Sequence, residues 1–225
     1  MERSLGELII SRLSEIYSIK KDEFAPLNFK DPFLIIVSII LSQNTTDKNA
    51  LKAMKNLVSN GLEKPEDFLK AGTEKIKDLI RVAGLYDQKA KAIIRFAKWS
   101  VQKYGGNLSL LKNEDPDKVF RELTSIKGIG PKTADVFLVF YLGAKTFPID
   151  THIRRVVKRL GIADGSYDKM KKRLLEIFPD PMKAHMLLIK HGRTTCKARN
   201  PDCENCVLNE ICKYYLALKH EKTVA

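Results

Sequence analysis

Apolar residues recur at three- and four-residue spacings along most of the chain. No stretch alternates apolar with polar side chains long enough to line one face of a strand. That periodicity belongs to helices, so an all-α fold is expected. Asp31-Pro32 offers an N-cap and a first helical residue ahead of the apolar run 33–41, although the run alone also fits a buried strand. Asp47 reads as the cap of a stripe formed by Ala50, Leu51, Met54, Leu57 and Val58. Ile76, Leu79, Ile80 and Ala83 form another, stopped by Gly84, and Ala90, Ile93, Ile94, Ala97 and Val101 a third, ending at Gly105-Gly106. Asp115-Pro116 opens a short helix through Leu123, Gly161 closes one through Ile153, Val156, Val157 and Leu160, and Pro179 and Pro181 separate the last two.

The 225 residues allow one large domain or two small ones, and 44% apolar content excludes wholesale disorder. The longest apolar stretch, nine residues from Phe33 to Leu41 that include Ser38, is far short of the roughly 20 that span a membrane. The opening residues Met1-Glu2-Arg3-Ser4-Leu5 lack the apolar core of an export signal, so a soluble intracellular protein is expected. The net charge is +13, and its distribution is uneven: +5 over residues 1–150 and +8 over 151–225. Such an excess suits a polyanion such as nucleic acid, though a lysine-rich solvated surface would look the same.

All four cysteines lie in one stretch, Cys196-x6-Cys203-x2-Cys206-x5-Cys212. Disulfides suit exported chains. Zinc sites usually pair two short knuckles, and only one is present here. An iron–sulfur cluster suits four thiolates in one compact loop. Lys197, Arg199 and nearby Arg193 would offset thiolate charge and are placed to meet phosphates.

Between two helical stretches lies Gly128-Ile129-Gly130-Pro131-Lys132. Glycines flanking an aliphatic residue permit a tight turn with exposed N–H groups, which can hold a phosphate at a helix start. Lys132 opposes the helix dipole there, and the field favours its neutral, nucleophilic amine. A surface lysine gripping phosphate is the alternative. Asp150 is placed to cap the helix beginning at Thr151, and a carboxylate there could also stabilise positive charge on a sugar. His152 reads as packing or hydrogen bonding rather than as an acid–base group.

In combination these stretches resemble the endonuclease III family of helix-hairpin-helix DNA glycosylases with an iron–sulfur loop. The resemblance runs from Phe33 to Cys212 through Leu41-Ser-Gln-Asn-Thr-Thr-Asp47, Gly84-Leu85-Tyr86, Gly128-Ile-Gly-Pro-Lys132-Thr-Ala134, Ile149-Asp-Thr-His-Ile-Arg154, His191-Gly-Arg-Thr-Thr-Cys196 and the cysteine spacing. It implies two helical domains with the active cleft between them: a helical barrel with the hairpin over residues 25–144, and an iron–sulfur domain from 1–24 and 145–225. Lys132 falls on the family's catalytic lysine and Asp150 on its catalytic aspartate. Cys196, Cys203, Cys206 and Cys212 fall on the ligands of a [4Fe-4S] cluster.

For DNA contacts, Leu85 matches the residue that wedges into the duplex. Asn44 stands where the family carries a glutamine that fills the vacated base position, with Gln43 beside it. Gly128 and Gly130 form the hairpin, and Arg193, Lys197 and Arg199 supply the basic surface. Pro131 replaces a basic residue often found before the lysine. The implied function is a bifunctional glycosylase and AP lyase of base excision repair. It would act as a monomer on double-stranded DNA holding damaged bases, oxidised pyrimidines first, or abasic sites, in the cytoplasm of a prokaryote and associated with its nucleoid. The rivals are a monofunctional adenine or thymine mismatch glycosylase, which commonly lacks lysine at position 132, and a non-catalytic DNA-binding protein.

Overall fold

The computed structural model describes residues 2–224, and these contain helices and turns but no strand. In chain order the helices are α1 (Glu2–Ile16), α2 (Pro32–Ser42), α3 (Asp47–Ser59), α4 (Pro65–Leu79), α5 (Tyr86–Tyr104), α6 (Pro116–Ser125), α7 (Pro131–Phe137), α8 (Thr151–Leu160), α9 (Tyr167–Ile177), α10 (Pro181–Thr194) and α11 (Lys213–Val224). Among the described residues no helix is long and apolar enough to cross a membrane. The chain divides into two compact units: Lys20–Ala144, and the segments that precede and follow it.

In the Lys20–Ala144 unit the ambiguous run 33–41 is helical, because Asp31 accepts a hydrogen bond from Leu34 N at 3.0 Å and Pro32 takes the first helical position. Its residues Pro32, Phe33 and Ile35 to Leu41 are all buried, so α2 is enclosed by its neighbours. The Phe33 ring lies 5.2 Å from Phe96 of α5, stacked, and 5.0 Å from Phe68 of α4, edge on. The cap of α3 is Thr46, whose side chain accepts from Asn49 N, rather than Asp47. Asp47 Oδ1 instead accepts from Ala25 N at 3.1 Å. That bond, with Asn28 Nδ2 donating to Lys21 O and Phe24 O, draws residues 20–24 into this unit, so the first boundary falls at residue 20 rather than 25. The stripe 76–83 is not one helix: α4 ends at Leu79 and a 3-10 turn covers Arg81–Ala83.

The other unit packs α1 against α9 and α10, and α8 against α10 and α11. Gly192 lets α10 approach α8 closely, since a Cβ there would stand 2.9 Å from His152 Cβ and 3.3 Å from Val156 Cγ2. Phe147 and Phe178 pack together in this unit's core, with ring centroids 5.7 Å apart.

Phe33→Ala is expected to destabilise the Lys20–Ala144 unit by about 3–5 kcal/mol, because the vacated ring space is walled by rings that cannot collapse into it. Denaturant unfolding of the variant checks this; a loss below about 1 kcal/mol would show that the aromatic cluster repacks.

Candidate functional site

α6, the turn 126–130 and α7 form the hairpin. Gly128 has φ +108, and a Cβ on it would lie 2.5 Å from Ala92 Cβ, so the turn sits directly on α5 and requires glycine. Gly130 differs: its φ is −92° and a Cβ would meet nothing within 4 Å, so its bareness leaves backbone open rather than satisfying the fold. Among the described residues neither glycine has its N–H bonded. Lys132 stands in the first turn of α7, half-buried, and its amine has no hydrogen-bond or ion-pair partner among the described residues.

Two loops of the same unit hold further predicted residues. Gln43 caps the C-terminus of α2, and its Nε2 donates to Thr133 Oγ1 at 3.1 Å and Gly128 O at 3.4 Å, so this side chain braces the hairpin. Asn44 is exposed at φ +52. Leu85 is 49% exposed at φ +47 and is the N-cap of α5. Left-handed backbone costs a residue with a Cβ roughly 1–2 kcal/mol, a strain that surrounding bonds must sustain. Sequence reasoning missed a buried side chain bonded just before both loops. Lys89 is 2% exposed, and its Nζ donates to Leu41 O and Ala83 O, both at 2.8 Å. Burial lowers its ammonium to about 8. The available signal was a lysine four residues before Ile93 and seven before Phe96, on the buried face of α5.

Asp150 belongs to the other unit and is half-buried. Its Oδ1 accepts from Ile153 N at 2.8 Å, so the expected N-cap of α8 is present. Two residues along, burial lowers the pKa of His152 against the raising influence of Asp150, and Arg155 NH2 meets its Nδ1 at 3.1 Å.

The four cysteines line one pocket together with Val156, Leu160, His191, Leu208 and Tyr214, and none forms a disulfide. Burial pushes the Cys206 thiol up to about 11 and raises Cys203, so each needs a compensating cation to ionise. The neighbouring His191 is held down to about 4 by burial, with Nε2 3.7 Å from Cys206 Sγ and Nδ1 3.2 Å from the Tyr17 hydroxyl. Among the described residues no three His, Cys, Asp or Glu converge as a set for one metal ion. The thiols are instead distributed round the pocket wall, and a cluster of several irons takes one thiolate per iron.

Two arginines of α8, absent from the sequence-derived site, anchor this loop. Arg155 Nε donates to Cys196 O at 2.9 Å; Arg159 donates to Cys196 Sγ at 3.3 Å and Lys197 O at 2.7 Å, and its guanidinium covers the Tyr214 ring. Their i, i+4 spacing on one helix was the legible sign. Lys197 and Arg199 are exposed on the loop, and Arg193 is exposed in the last turn of α10.

Comparison with known proteins joins these parts. The family model of the HhH-GPD superfamily base excision DNA repair protein matches residues 37–180, and that of the iron–sulfur binding domain of endonuclease III matches residues 196–212. Endonuclease III of Sulfolobus acidocaldarius is 43% identical, over 94% of this chain and 97% of its own length. That of Escherichia coli is 35% identical, over 84% of this chain and 86% of its own. A solved non-covalent endonuclease III–DNA complex superposes with a TM-score of 0.81 at 27% identity, covering 98% of this chain and 99% of that one. A trapped endonuclease III–DNA covalent intermediate gives 0.80 at 27% identity, covering 97% and 99%. With the hairpin and the cysteine loop each matched in the same order at near full length, the chain belongs to the endonuclease III family of HhH-GPD base excision repair proteins.

Proposed function

We propose that Lys132 and Asp150 carry the chemistry of this DNA glycosylase and AP lyase. The observation that carries the assignment is half-buried Lys132 in the first turn of α7, whose amine has no partner among the described residues, beside a hairpin whose Gly128 and Gly130 N–H groups are likewise unbonded among them. Those N–H groups suit a phosphate and would fix the duplex without reading its sequence. The target nucleotide must leave the stack, since C1′ is inaccessible inside it, at a cost of about a few kcal/mol that is least at a lesion. Leu85 fills the opened duplex, and Asn44 meets the base left opposite. Arg193, Lys197 and Arg199 add phosphate contacts.

The lone pair of the Lys132 amine attacks C1′. The glycosidic C–N bond breaks, and its electrons depart with the base, which takes up a proton. Asp150 supplies a carboxylate that accepts a proton and stabilises the positive charge developing on the sugar. Loss of the amine proton and opening of the sugar ring at O4′ give the Schiff base. The iminium acidifies the C2′ hydrogen; its removal expels the 3′ phosphate by β-elimination and cuts the strand 3′ to the lesion. Oxidised pyrimidines are the proposed bases, and the protein acts as a monomer on the nucleoid DNA of a prokaryotic cytoplasm.

Cys196, Cys203, Cys206 and Cys212, which line one pocket inside the matched iron–sulfur segment, would hold the [4Fe-4S] cluster. When bound, the cluster would supply a cross-link for the loop bearing Lys197 and Arg199.

Borohydride is expected to trap a covalent adduct between the protein and lesion DNA, and Lys132→Ala to abolish it with at least a ~10³-fold loss of base release. Normal trapping by that variant would place the nucleophile elsewhere. Asp150→Asn should lower single-turnover excision by about 10²–10⁴-fold while undamaged duplex still binds. A panel of duplexes, each with one modified base and a varied opposite base, measures the lesion preference; release without nicking would make the enzyme monofunctional. Purified protein should be brown, and Cys203→Ser should bleach it and lower its Tm. Colourless wild-type protein with stoichiometric zinc would overturn the cluster assignment.

A further inference from the structure

We propose that Lys89 is a positioning residue that locks the Asn44 loop and the Leu85 loop into one rigid pair by bridging the carbonyls of Leu41 and Ala83. The proposal rests on the reading above that Asn44 and Leu85 meet the duplex. Leu41 is the penultimate residue of α2, and the chain beyond it runs through Gln43 to Asn44 at φ +52. Ala83 ends the 3-10 turn, and beyond it stand Gly84 at φ +66 and Leu85 at φ +47. Both left-handed segments therefore begin within three residues of a carbonyl held by the same ammonium, at 2.8 Å in each case. The backbone N–H of Lys89 also donates to Leu85 O at 3.0 Å, so this one residue grips the chain on both sides of Gly84.

Packing alone does not call for an amine in that position. The side chain lies on the face of α5 that also buries Ala90, Ile93, Phe96 and Ala97; burial lowers its pKa, and among the described residues its ammonium pairs with carbonyls and with no carboxylate. An ammonium without a carboxylate in such a place loses hydration that carbonyl oxygens only partly replace, whereas an unbranched apolar side chain would fill the space without that loss. What the amine adds is a fork of donors reaching two helix-terminal carbonyls 42 positions apart in the chain. A wedge entering a base stack must resist being pushed back, and a residue meeting the opposite base must keep its register with that wedge. One bridge between their roots meets both needs.

The test measures how much more tightly the holoprotein binds a duplex with a stable abasic-site analogue than an undamaged duplex. Lys89→Met, Leu85→Ala and the double variant are compared by fluorescence anisotropy at fixed salt. Leu85→Ala and Lys89→Met are each expected to cut the preference by about tenfold, and the double variant to lose little more than either alone, because both act through one wedge. Loss of folded fraction would weaken both duplexes alike and leave the ratio unchanged. An unchanged ratio in Lys89→Met beside a reduced one in Leu85→Ala, or fully additive losses, would overturn the bridge alone. An unchanged ratio in Leu85→Ala would overturn the wedge reading and the bridge with it. Should the Met variant not fold, Lys89→Gln, which reaches one carbonyl, must show the same loss, and a wild-type ratio in it would overturn the proposal.

Discussion

A helix that is apolar on every side has to be enclosed, and α2 is such a helix. Phe33 and every residue from Ile35 to Leu41 are buried, Ser38 included, whose hydroxyl turns back to Ile35 O at 2.7 Å. Burying that surface is the main driving force available to the Lys20–Ala144 unit. It requires α3, α5 and α7 to close around a single rod, as their contacts with α2 show. The polar ends of the rod must emerge somewhere, and its C-terminal carbonyls emerge where the site residues begin. The location of the site in this unit thus follows from the enclosure of an apolar helix.

From that end the elements that would meet DNA are tied to one another by bonds rather than by chain continuity. Lys89 joins the end of α2 to the turn before Leu85. Gln43 joins the same end to the hairpin at Gly128 and Thr133. Gly128 in turn rests on Ala92, one helical turn along α5 from Lys89. The result is a closed triangle of the α2 end, the hairpin and α5, which α5 enters through both Lys89 and Ala92. Asn44 and Leu85, both with left-handed backbone, stand next to its joints.

The chain announces its helices through register and its chemistry through rarity. Asp31-Pro32 and Asp115-Pro116 mark helix starts that the structure keeps, because a carboxylate accepting a backbone N–H ahead of proline is a local arrangement. Four cysteines confined to seventeen positions point to one site for the same reason. Thr46 displaced Asp47 as a cap because Asp47 is committed to Ala25 N, a partner 22 residues away. Gln43 turned inward to the hairpin for a bond more distant still, to Thr133. Lys89 was hidden because its partners are carbonyls, which every residue possesses and which leave no mark on composition. Contacts within a turn of helix are legible in sequence; those closing over tens of residues wait for the fold.

Electrostatics in the cysteine unit follow the same logic of borrowed carbonyls. Four thiolates holding a cluster in that pocket would concentrate negative charge, and burial resists ionising Cys203 and Cys206. Arg155 and Arg159 answer this from α8, yet most of their donors engage carbonyls of Gly192, Cys196, Lys197 and Ala198 rather than sulfur. They thereby hold the start of the loop in place and bring positive charge to it in one arrangement. Lys197 and Arg199 of the same loop are exposed. The +8 excess over residues 151–225 is thus divided. Part of it is spent inward on the cysteine loop, and the exposed remainder is what a phosphate backbone would meet.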